Sequence, residues 1–282
     1  MIVKIDRKNA VQEFSSYLAM TTSLKGGGGK STFACALLDY LRSNGFIAAA
    51  YDADGAVGSF SDMHGLRDAD GRLTDDQPSL DGVFAYNMRD ESRATLINSL
   101  QMGHRLSVHD VGGGALSDVQ RLFSDKNSVN RLFRALQACD ACVIFYHLVT
   151  PDISTIESIA LHLDLTDQLG PLSAHARHVA VLNRHGNRSD QDFPNWFGYL
   201  NAAGTVCGGK TRERLLAGGG AEMSLPALQD RTMSILKDCN CRFSDAVQDS
   251  RLTLLDQQRI QIFVEDFQDE MTAPIRALLG LV

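Results

Sequence analysis

The amino-acid sequence predicts an α/β fold, a doubly wound, mostly parallel sheet flanked by helices on both faces. Short apolar runs, typical of parallel strands buried on both faces, alternate with helical patterns along most of the 282 residues. Four consecutive glycines stand between one apolar run and a helical pattern. Acidic residues close two other apolar runs, where the carboxyl ends of parallel strands form the ligand crevice of an open sheet.

Composition and charge exclude several classes of protein. Apolar residues make up 44% of the chain, and the formal net charge of −7 argues against a protein that coats DNA by bulk charge. No apolar core precedes a cleavage site, and no run approaches the roughly 20 apolar residues that span a bilayer. We expect a cytoplasmic protein with reduced cysteines and no membrane partner.

The first predicted strand, 16–22, leads into Ser23-Leu24-Lys25-Gly26-Gly27-Gly28-Gly29-Lys30-Ser31-Thr32. Consecutive glycines let backbone N–H groups converge on one anion, and the predicted helix 31–41 places its N-terminus at the same point. Lys30 would then reach the β- and γ-phosphates of a nucleotide, and the Ser31 hydroxyl would ligate Mg²⁺. A flexible glycine linker is the alternative, which the strand and the helix on either side disfavour.

The loop departs from the ordinary Gly-x-x-x-x-Gly-Lys-[Ser/Thr] pattern, because Leu24 takes the first position and a second lysine, Lys25, follows it. The sequence Lys-Gly-Gly-x-Gly-Lys-Ser resembles the deviant Walker A motif of the ParA/MinD superfamily of P-loop ATPases, in the SIMIBI class. The resemblance implies an ATP-dependent homodimer in which Lys25 reaches the partner's nucleotide. It implies ATP and Mg²⁺ as cofactors, with phosphates held by Gly26, Gly27, Gly28, Gly29, Lys30, Ser31 and Thr32.

The second predicted strand, 46–51, ends in Asp52-Ala53-Asp54-Gly55. Two carboxylates two residues apart point towards one site if the chain turns there. ParA/MinD proteins carry Asp-x-Asp-Pro-Gln at this place, and the resemblance implies that Asp52 serves the Mg²⁺ shell while Asp54 orients the attacking water. Gly55 and Ala56 depart from that pattern, which leaves a nucleotide-gated scaffold with little turnover as an alternative.

A predicted strand at 82–88 and a helix at 91–102 precede the strand 105–109, which leads into Asp110-Val111-Gly112-Gly113-Gly114. An aspartate that closes an apolar strand fits a Walker B position, because it holds a Mg²⁺-bound water beside the loop serine. The glycines bring a backbone N–H towards the γ-phosphate. Relatives show Asp-x-Pro-x-Gly here, so Gly114 falls at the expected position.

The later part of the chain continues the alternation, with a helix at 127–138, strands at 142–149, 179–182 and 221–225, and helices from 243 onward. Between the first two strands, Thr150 is predicted to cap a helix with Pro151 in its first position. In the superfamily an asparagine at a strand end contacts the adenine, and a proline after the last strand borders the base. Asn183 and Pro226 are the matches, and a loop asparagine that caps the backbone is the alternative for Asn183.

The resemblance covers about residues 16–240, which we predict to be the P-loop ATPase domain. Residues 1–15 are predicted as an N-terminal arm or edge strand, and 241–282 as a C-terminal helical segment packed on the same domain. The implied function is an ATPase that dimerises on ATP–Mg and switches a positioning, partition or plasmid stability/transfer process, with an unidentified cargo or adaptor protein. Lys210-Thr211-Arg212-Glu213-Arg214, with Gly218-Gly219 and Leu225-Pro226, resembles the StbB/TraL-type plasmid and conjugal-transfer ATPases.

Two features of the sequence favour other functions. The pairs Cys139/Cys142 and Cys239/Cys241 would suit a P-loop biosynthetic enzyme or metallochaperone, although cysteine is also a common small core residue. A locally basic region would suit non-specific binding to DNA phosphates, although a solvated face is the more usual explanation of such a region. Its members are Arg177, Arg184, Arg188, Lys210, Arg212 and Arg214.

Overall fold

The computed structural model describes residues 12–23, 27–53, 59–88, 91–112 and 128–281. The strands in these ranges are β1 (Ser16–Thr22), β2 (Ala48–Asp52), β3 (Phe84–Ala85), β4 (Leu106–Asp110), β5 (Ala141–Val149), β6 (Ala176–Asn183), β7 (Tyr199–Leu200), β8 (Val206–Cys207) and β9 (Ala221–Leu225). The helices are α1 (Lys30–Ser43), α2 (Ser59–His64), α3 (Thr95–Asn98), α4 (Ser128–Ala138), α5 (Ile153–Asp167), α6 (Pro194–Phe197), α7 (Lys210–Ala217), α8 (Asp230–Asp238), α9 (Phe243–Ala246), α10 (Leu254–Glu270) and α11 (Ala273–Leu278).

Seven of these strands form one sheet in the order β3-β2-β4-β1-β5-β6-β9, and every pairing in it is parallel. The chain leaves β1 towards one edge of the sheet through β2 and β3, and later fills the other edge with β5, β6 and β9. This reversal beside β1 is the switch point at which open α/β sheets bind ligands, outside the carboxyl ends of the strands. The structure confirms the predicted doubly wound α/β fold.

Both faces of the sheet are covered, which explains why the strands are continuous apolar runs rather than alternating ones. All residues of β1, β4 and β5 are buried. One face packs against α1 and the C-terminal helices, with Phe33, Leu37 and Phe263 in the same cluster. The other face packs against α4, through Leu132 and Phe133. The sheet therefore lies between two helical layers.

Three local predictions are wrong, two in the extent of an element and one in the residue that caps a helix. The expected strand 82–88 contains only β3, which pairs with β2 alone at the edge of the sheet and so has little to extend it. The expected helix 91–102 is divided, because α3 lies between two 3-10 turns, Glu91–Ala94 and Ser99–Met102. The helix after β5 is capped by Asp152 and not by Thr150, since the Asp152 carboxylate accepts from the Ser154 N–H at 3.0 Å.

The C-terminal helices complete the core instead of standing apart from it. Phe263, Phe267 and Met271, which form the apolar stripe of α10 and its end, are all buried in the cluster that holds α1. Of the predicted arm 1–15, residues 1–11 lie outside the described ranges, and residues 12–15 contain no strand. Within the described part of the chain, no helix is both long and apolar enough to cross a bilayer.

Candidate functional site

The glycine loop connects β1 to α1, and its described part adopts the conformation that glycine permits. Gly27 and Gly29 have φ values of 76° and 93°, in the left-handed region that other residues avoid. Gly29 caps α1, and a Cβ there would lie 2.7 Å from the Asn183 amide nitrogen. The backbone conformation therefore requires glycine at Gly27 and Gly29. At Gly29 the nearby Asn183 side chain also leaves no room for a Cβ.

Helix α1 presents its N-terminus to this loop without an acidic residue in its first turn. Lys30 opens the helix and is buried, at 7% exposure. Free N–H groups at a helix N-terminus, together with the helix dipole, favour an anion. A buried lysine at the same point adds a positive charge, so this end of α1 suits a phosphate group.

Asp52 and Asp110 close the neighbouring strands β2 and β4 and stand directly opposite each other in the parallel register. Both are buried, at 2% and 5% exposure. The Ser61 hydroxyl donates to Asp52 at 2.8 Å, and the Thr21 hydroxyl donates to Asp110 at 2.9 Å. Because adjacent strands lie about 4.8 Å apart, the two acidic groups share one small buried volume.

Burial raises the pKa of Asp110 to about 6. Hydrogen bonds from Ser31 and Thr21 and the positive charge of Lys30 oppose this rise, and the negative charge of Asp52 adds to it. The loop hydroxyl of Ser31 therefore lies within hydrogen-bonding reach of the carboxylate that closes β4. The fold brings the predicted metal ligands Ser31, Asp52 and Asp110 into one neighbourhood.

The donors Ser31, Asp52 and Asp110 suit a hard divalent cation, because all three offer oxygen. Among the described residues, no group of three or more His, Cys, Asp or Glu side chains could hold a metal. Mg²⁺ commonly takes one or two protein carboxylates and completes its shell with water and substrate phosphates. The site fits Mg²⁺ that arrives with a nucleotide better than a metal held by protein alone.

A cleft of about 530 Å³ opens on the outer side of the glycine loop. Gly27, Gly28, Gly29 and Thr32 line one wall, as the sequence predicts for a nucleotide site. Its described lining is completed by Thr150, Pro151, Asp152, Thr155, Asn183, His185, Arg188, Leu225, Pro226, Leu228, Asp230, Met233, Lys237 and Phe263. The cleft thus runs from the loop to the ends of β5, β6 and β9.

Asn183 and Pro226 both line this cleft, at the positions predicted to border a base. The Asn183 side chain already makes two backbone contacts. Its amide nitrogen donates to the Gly28 carbonyl at 2.9 Å, and its oxygen accepts from the His185 N–H at 2.9 Å. Asn183 therefore braces the glycine loop against β6, which combines the predicted place in the site with the backbone-capping alternative.

Four predicted site residues lie outside the described ranges: Lys25, Gly26, Asp54 and Gly114. Their assigned roles stay predictions. The same holds for the departures at Gly55 and Ala56.

Several cleft residues are not predicted by the sequence motifs. Asp152 and Thr155 follow the carboxyl end of the buried strand β5, and this position is a signal that could have identified them. Met233, Lys237 and Phe263 come from α8 and α10, which no motif marks. These helices reach the cleft only through tertiary packing.

In the part of the chain that the structure describes, three of the six members of the basic region form ion pairs with neighbouring acids. Arg212 pairs with Glu222 at 2.6 Å, and Arg214 bridges Asp164 and Asp167, each at 2.6 Å. Arg184 pairs with Asp190, Arg177 donates to carbonyls of the C-terminal helix, and Arg188 donates to the Asn183 carbonyl at 3.4 Å. All six cysteines are free thiols, and Cys142 is buried in β5.

Comparison with solved structures finds the same architecture in nucleotide-bound proteins. The ATP complex of a Cyanothece McdA variant has a TM-score of 0.51 at 12% identity, over 96% of this chain and 98% of that one. MinD of Pyrococcus horikoshii with Mg-ADP has a TM-score of 0.49 at 16% identity, over 90% and 95% of the two chains. A plasmid partition protein of Borrelia burgdorferi bound to AMPPNP has a TM-score of 0.46 at 14% identity, over 90% of this chain and 98% of that one.

In sequence, no family model and no curated protein matches this chain. The likeness to McdA spans nearly the whole of both chains, and at this identity it concerns the fold alone. The chain has the same α/β fold as McdA.

Proposed function

We propose that this chain is a ParA/MinD-type ATPase, which binds ATP with Mg²⁺ and uses its hydrolysis as a switch. One observation carries the proposal: Asp52 and Asp110 lie in register and buried, and Asp110 is hydrogen-bonded to Ser31, beside a buried Lys30. Two buried carboxylates in one volume attract positive charge, and Lys30 supplies one such charge beside Asp110. A phosphate-bound Mg²⁺ is the ligand that would balance both groups.

Each part of the site has a role in this function. The N–H groups of the loop and of the first turn of α1 hold the phosphates, and Lys30 neutralises their charge. Ser31, Asp52 and Asp110 are the residues that would hold Mg²⁺, which supplies further charge stabilisation on the phosphates. Leu225 and Pro226 supply an apolar wall beside Asn183, where a base would lie.

The test of the site is the affinity for ATP in the presence of Mg²⁺. Lys30→Ala should weaken ATP binding by about 100-fold or more, because it removes a buried charge at the phosphates. Lys210→Ala is the matched control, since Lys210 is exposed and lies outside the described lining of the cleft. Calorimetric titration measures both, and equal affinity of Lys30→Ala and the parent would refute the site.

We further propose that ATP drives homodimerisation, with Lys25 reaching the partner's nucleotide and Asp54 orienting the attacking water. Lys25→Ala should then keep monomeric ATP binding and lose both the dimer and turnover. Asp54→Ala should retain ATP and accumulate as a dimer, since an uncleaved γ-phosphate continues to hold the switch loops. Light scattering with ATP separates these outcomes, and a Lys25→Ala protein that dimerises normally would contradict the mechanism.

The cellular process is the coarsest part of the proposal. The loop motif supports a role in positioning, partition or plasmid stability, in the cytoplasm and with a cargo or adaptor protein that is still to be identified. The StbB/TraL subgroup rests on the segment 210–214 with Gly218-Gly219 and Leu225-Pro226. Two arginines of that segment form the ion pairs described above, which weakens the case for DNA binding there.

A further inference from the structure

Three buried histidines lie together on the face of the sheet that packs against α4 and α5. His147 and His178 are stacked, with ring centroids 5.2 Å apart and planes 6° apart, and His162 meets His147 edge-on at 5.0 Å. All three are buried. We call these residues the histidine cluster, and nothing in the proposed ATPase chemistry uses them.

Two members of the cluster belong to a continuous chain of hydrogen bonds. The Thr22 hydroxyl lies 2.8 Å from His147 Nδ1, and His147 Nε2 lies 2.9 Å from His178 Nδ1. His178 Nε2 in turn lies 3.0 Å from the Thr166 hydroxyl, which donates to the His162 carbonyl at 2.9 Å. The chain therefore runs from β1 through β5 and β6 to α5.

The Thr166 end of this hydrogen-bonded chain sets the positions of its protons. At the other end the Thr22 hydroxyl lies 2.8 Å from His147 Nδ1 and 3.4 Å from the Tyr146 carbonyl, so the ring is its nearer acceptor. Since Thr166 donates to a carbonyl, it must accept from His178, so His178 carries its proton on Nε2 and accepts on Nδ1. His147 then carries its proton on Nε2, and its Nδ1 accepts from Thr22. This order satisfies every nitrogen with both rings neutral. Burial also lowers the pKa of His147 and His178, which favours the neutral forms.

The chain of hydrogen bonds from Thr22 to Thr166 joins two elements that build the nucleotide cleft. Thr22 is the last residue of β1, directly before the glycine loop, and Thr166 lies in the last turn of α5. The first turn of α5 carries Thr155, which lines the cleft opposite the loop. The neighbouring Thr21 is tied to Asp110, so the end of β1 is held from both faces of the sheet.

We infer that His147 and His178 are positioning residues for the glycine loop. They hold the end of β1 against α5 through Thr22 and Thr166, so that the loop and the opposite wall of the cleft keep a fixed separation. The inference rests on the proposed function, in that the loop is taken to bind a nucleotide.

His162 supplies a matched control within the same cluster. Its ring is buried against His147, but its Nδ1 lies 2.8 Å from the Ser158 carbonyl of its own helix, and its ring makes no link to Thr22. Removing its ring nitrogens should therefore disturb local packing without releasing the loop.

The first test compares three variants in which ring or side-chain shape is kept: His147→Phe, Thr22→Val and His162→Phe. We expect the first two to weaken ATP affinity by about tenfold or more, because each breaks the link to the loop and leaves a buried partner unsatisfied. His162→Phe should change ATP affinity by less than about twofold, because it breaks no link in the chain. Circular dichroism identifies variants that fail to fold. Of the three, Thr22→Val is the one we least expect to prevent folding.

Folded His147→Phe and Thr22→Val proteins that bind ATP as tightly as the parent would overturn the inference. So would a His162→Phe protein with an equal loss of affinity, since the effect would then be one of general packing.

The second test needs no nucleotide and separates this inference from the proposed function. Nitrogen NMR of the unliganded protein should show His147 and His178 as neutral rings protonated on Nε2, and Thr22→Val should shift the backbone amide signals of Gly27 and Gly29. A ring protonated on Nδ1, or glycine signals unchanged by Thr22→Val, would overturn the positioning role. If the parent binds no ATP while these signals behave as expected, the proposed function fails and the positioning role stands.

Discussion

Two buried polar clusters meet the end of β1 from opposite faces of the sheet, and they differ in how their polarity is balanced. On one face Thr21 contacts Asp110, which stands beside Asp52. On the other face Thr22 contacts His147. The acidic cluster places two carboxylates in one buried volume, whereas His147 and His178 of the histidine cluster belong to a neutral chain of hydrogen bonds made within the protein.

The difference indicates which cluster needs a ligand. The acidic cluster holds two buried carboxylates close together, and burial raises the pKa of Asp110, with the negative charge of Asp52 adding to the rise. A buried chain of neutral rings with satisfied nitrogens needs nothing added and makes the surrounding structure rigid. We therefore assign binding to the acidic cluster and positioning to the histidine cluster.

Acidification should have the largest effect, and it should act through the five histidines whose pKa is lowered by burial, namely the histidine cluster together with His64 and His109. Burial lowers the pKa of His178 from 6.5 to about 3 and also lowers those of His147 and His162. The unfolded chain therefore binds more protons below about pH 6.5, so stability is full above that pH and falls as the pH drops. Each histidine should contribute up to about 1.4 kcal/mol per pH unit. Urea unfolding between pH 7.5 and 5 measures the slope.

A flat stability profile between pH 7 and 5 would contradict neutral burial of these rings. His162→Phe should reduce the slope by about one proton, because the substituted side chain does not titrate. The difference in slope between this variant and the parent therefore measures the contribution of His162.

Removal of one carboxylate from the acidic cluster should have the next largest effect, on binding. Asp52→Asn should lower the affinity for ATP in Mg²⁺ by about 100-fold, because the cation loses a charged ligand. The affinity measured in EDTA should change far less. Titration in the two buffers provides the comparison, and an equal loss in both would show that Asp52 acts on the protein and not on the metal.

The same cluster should gain stability when its charge is removed. The pKa of Asp110 is about 6 in the fold against a usual 3.8, so its ionisation costs up to about 3 kcal/mol above pH 6 and nothing below pH 3.8. We expect Asp110→Asn to stabilise the nucleotide-free protein by roughly 1–2 kcal/mol at pH 8. The gain should shrink as the pH falls towards 5. Thermal unfolding at both values tests this, and a destabilised variant at pH 8 would argue against this cost of ionisation.

The smallest effect is expected at the surface, where charge pairs are exposed to solvent. Arg214 bridges Asp164 and Asp167 with about 40% of its own side chain exposed. Arg214→Ala should cost less than about 1 kcal/mol, because water screens such pairs. Urea unfolding of the variant and the parent at low and high salt measures this loss of stability. A larger loss would mean that the α5–α7 contact depends on this arginine.

Local patterns in the sequence were sufficient to predict the parts of the site that rest on neighbouring residues. The glycine loop between an apolar strand and a helix follows from backbone freedom and helix capping, and both are properties of adjacent residues. The carboxylates Asp52 and Asp110 are marked by their place at the ends of apolar runs. The parallel α/β architecture follows from the same runs, because strands without polar alternation must be covered on both faces.

Tertiary structure alone decided which distant residues meet. The direct register of Asp52 with Asp110 depends on strand order, which no local pattern encodes. The chain of hydrogen bonds from Thr22 to Thr166 joins three strands and a helix. No local sequence pattern around the individual histidines predicts that they meet. Met233 and Lys237 reach the cleft because α8 packs against α2 and α10, and such packing is settled by the shape and burial of the whole core rather than by any one segment.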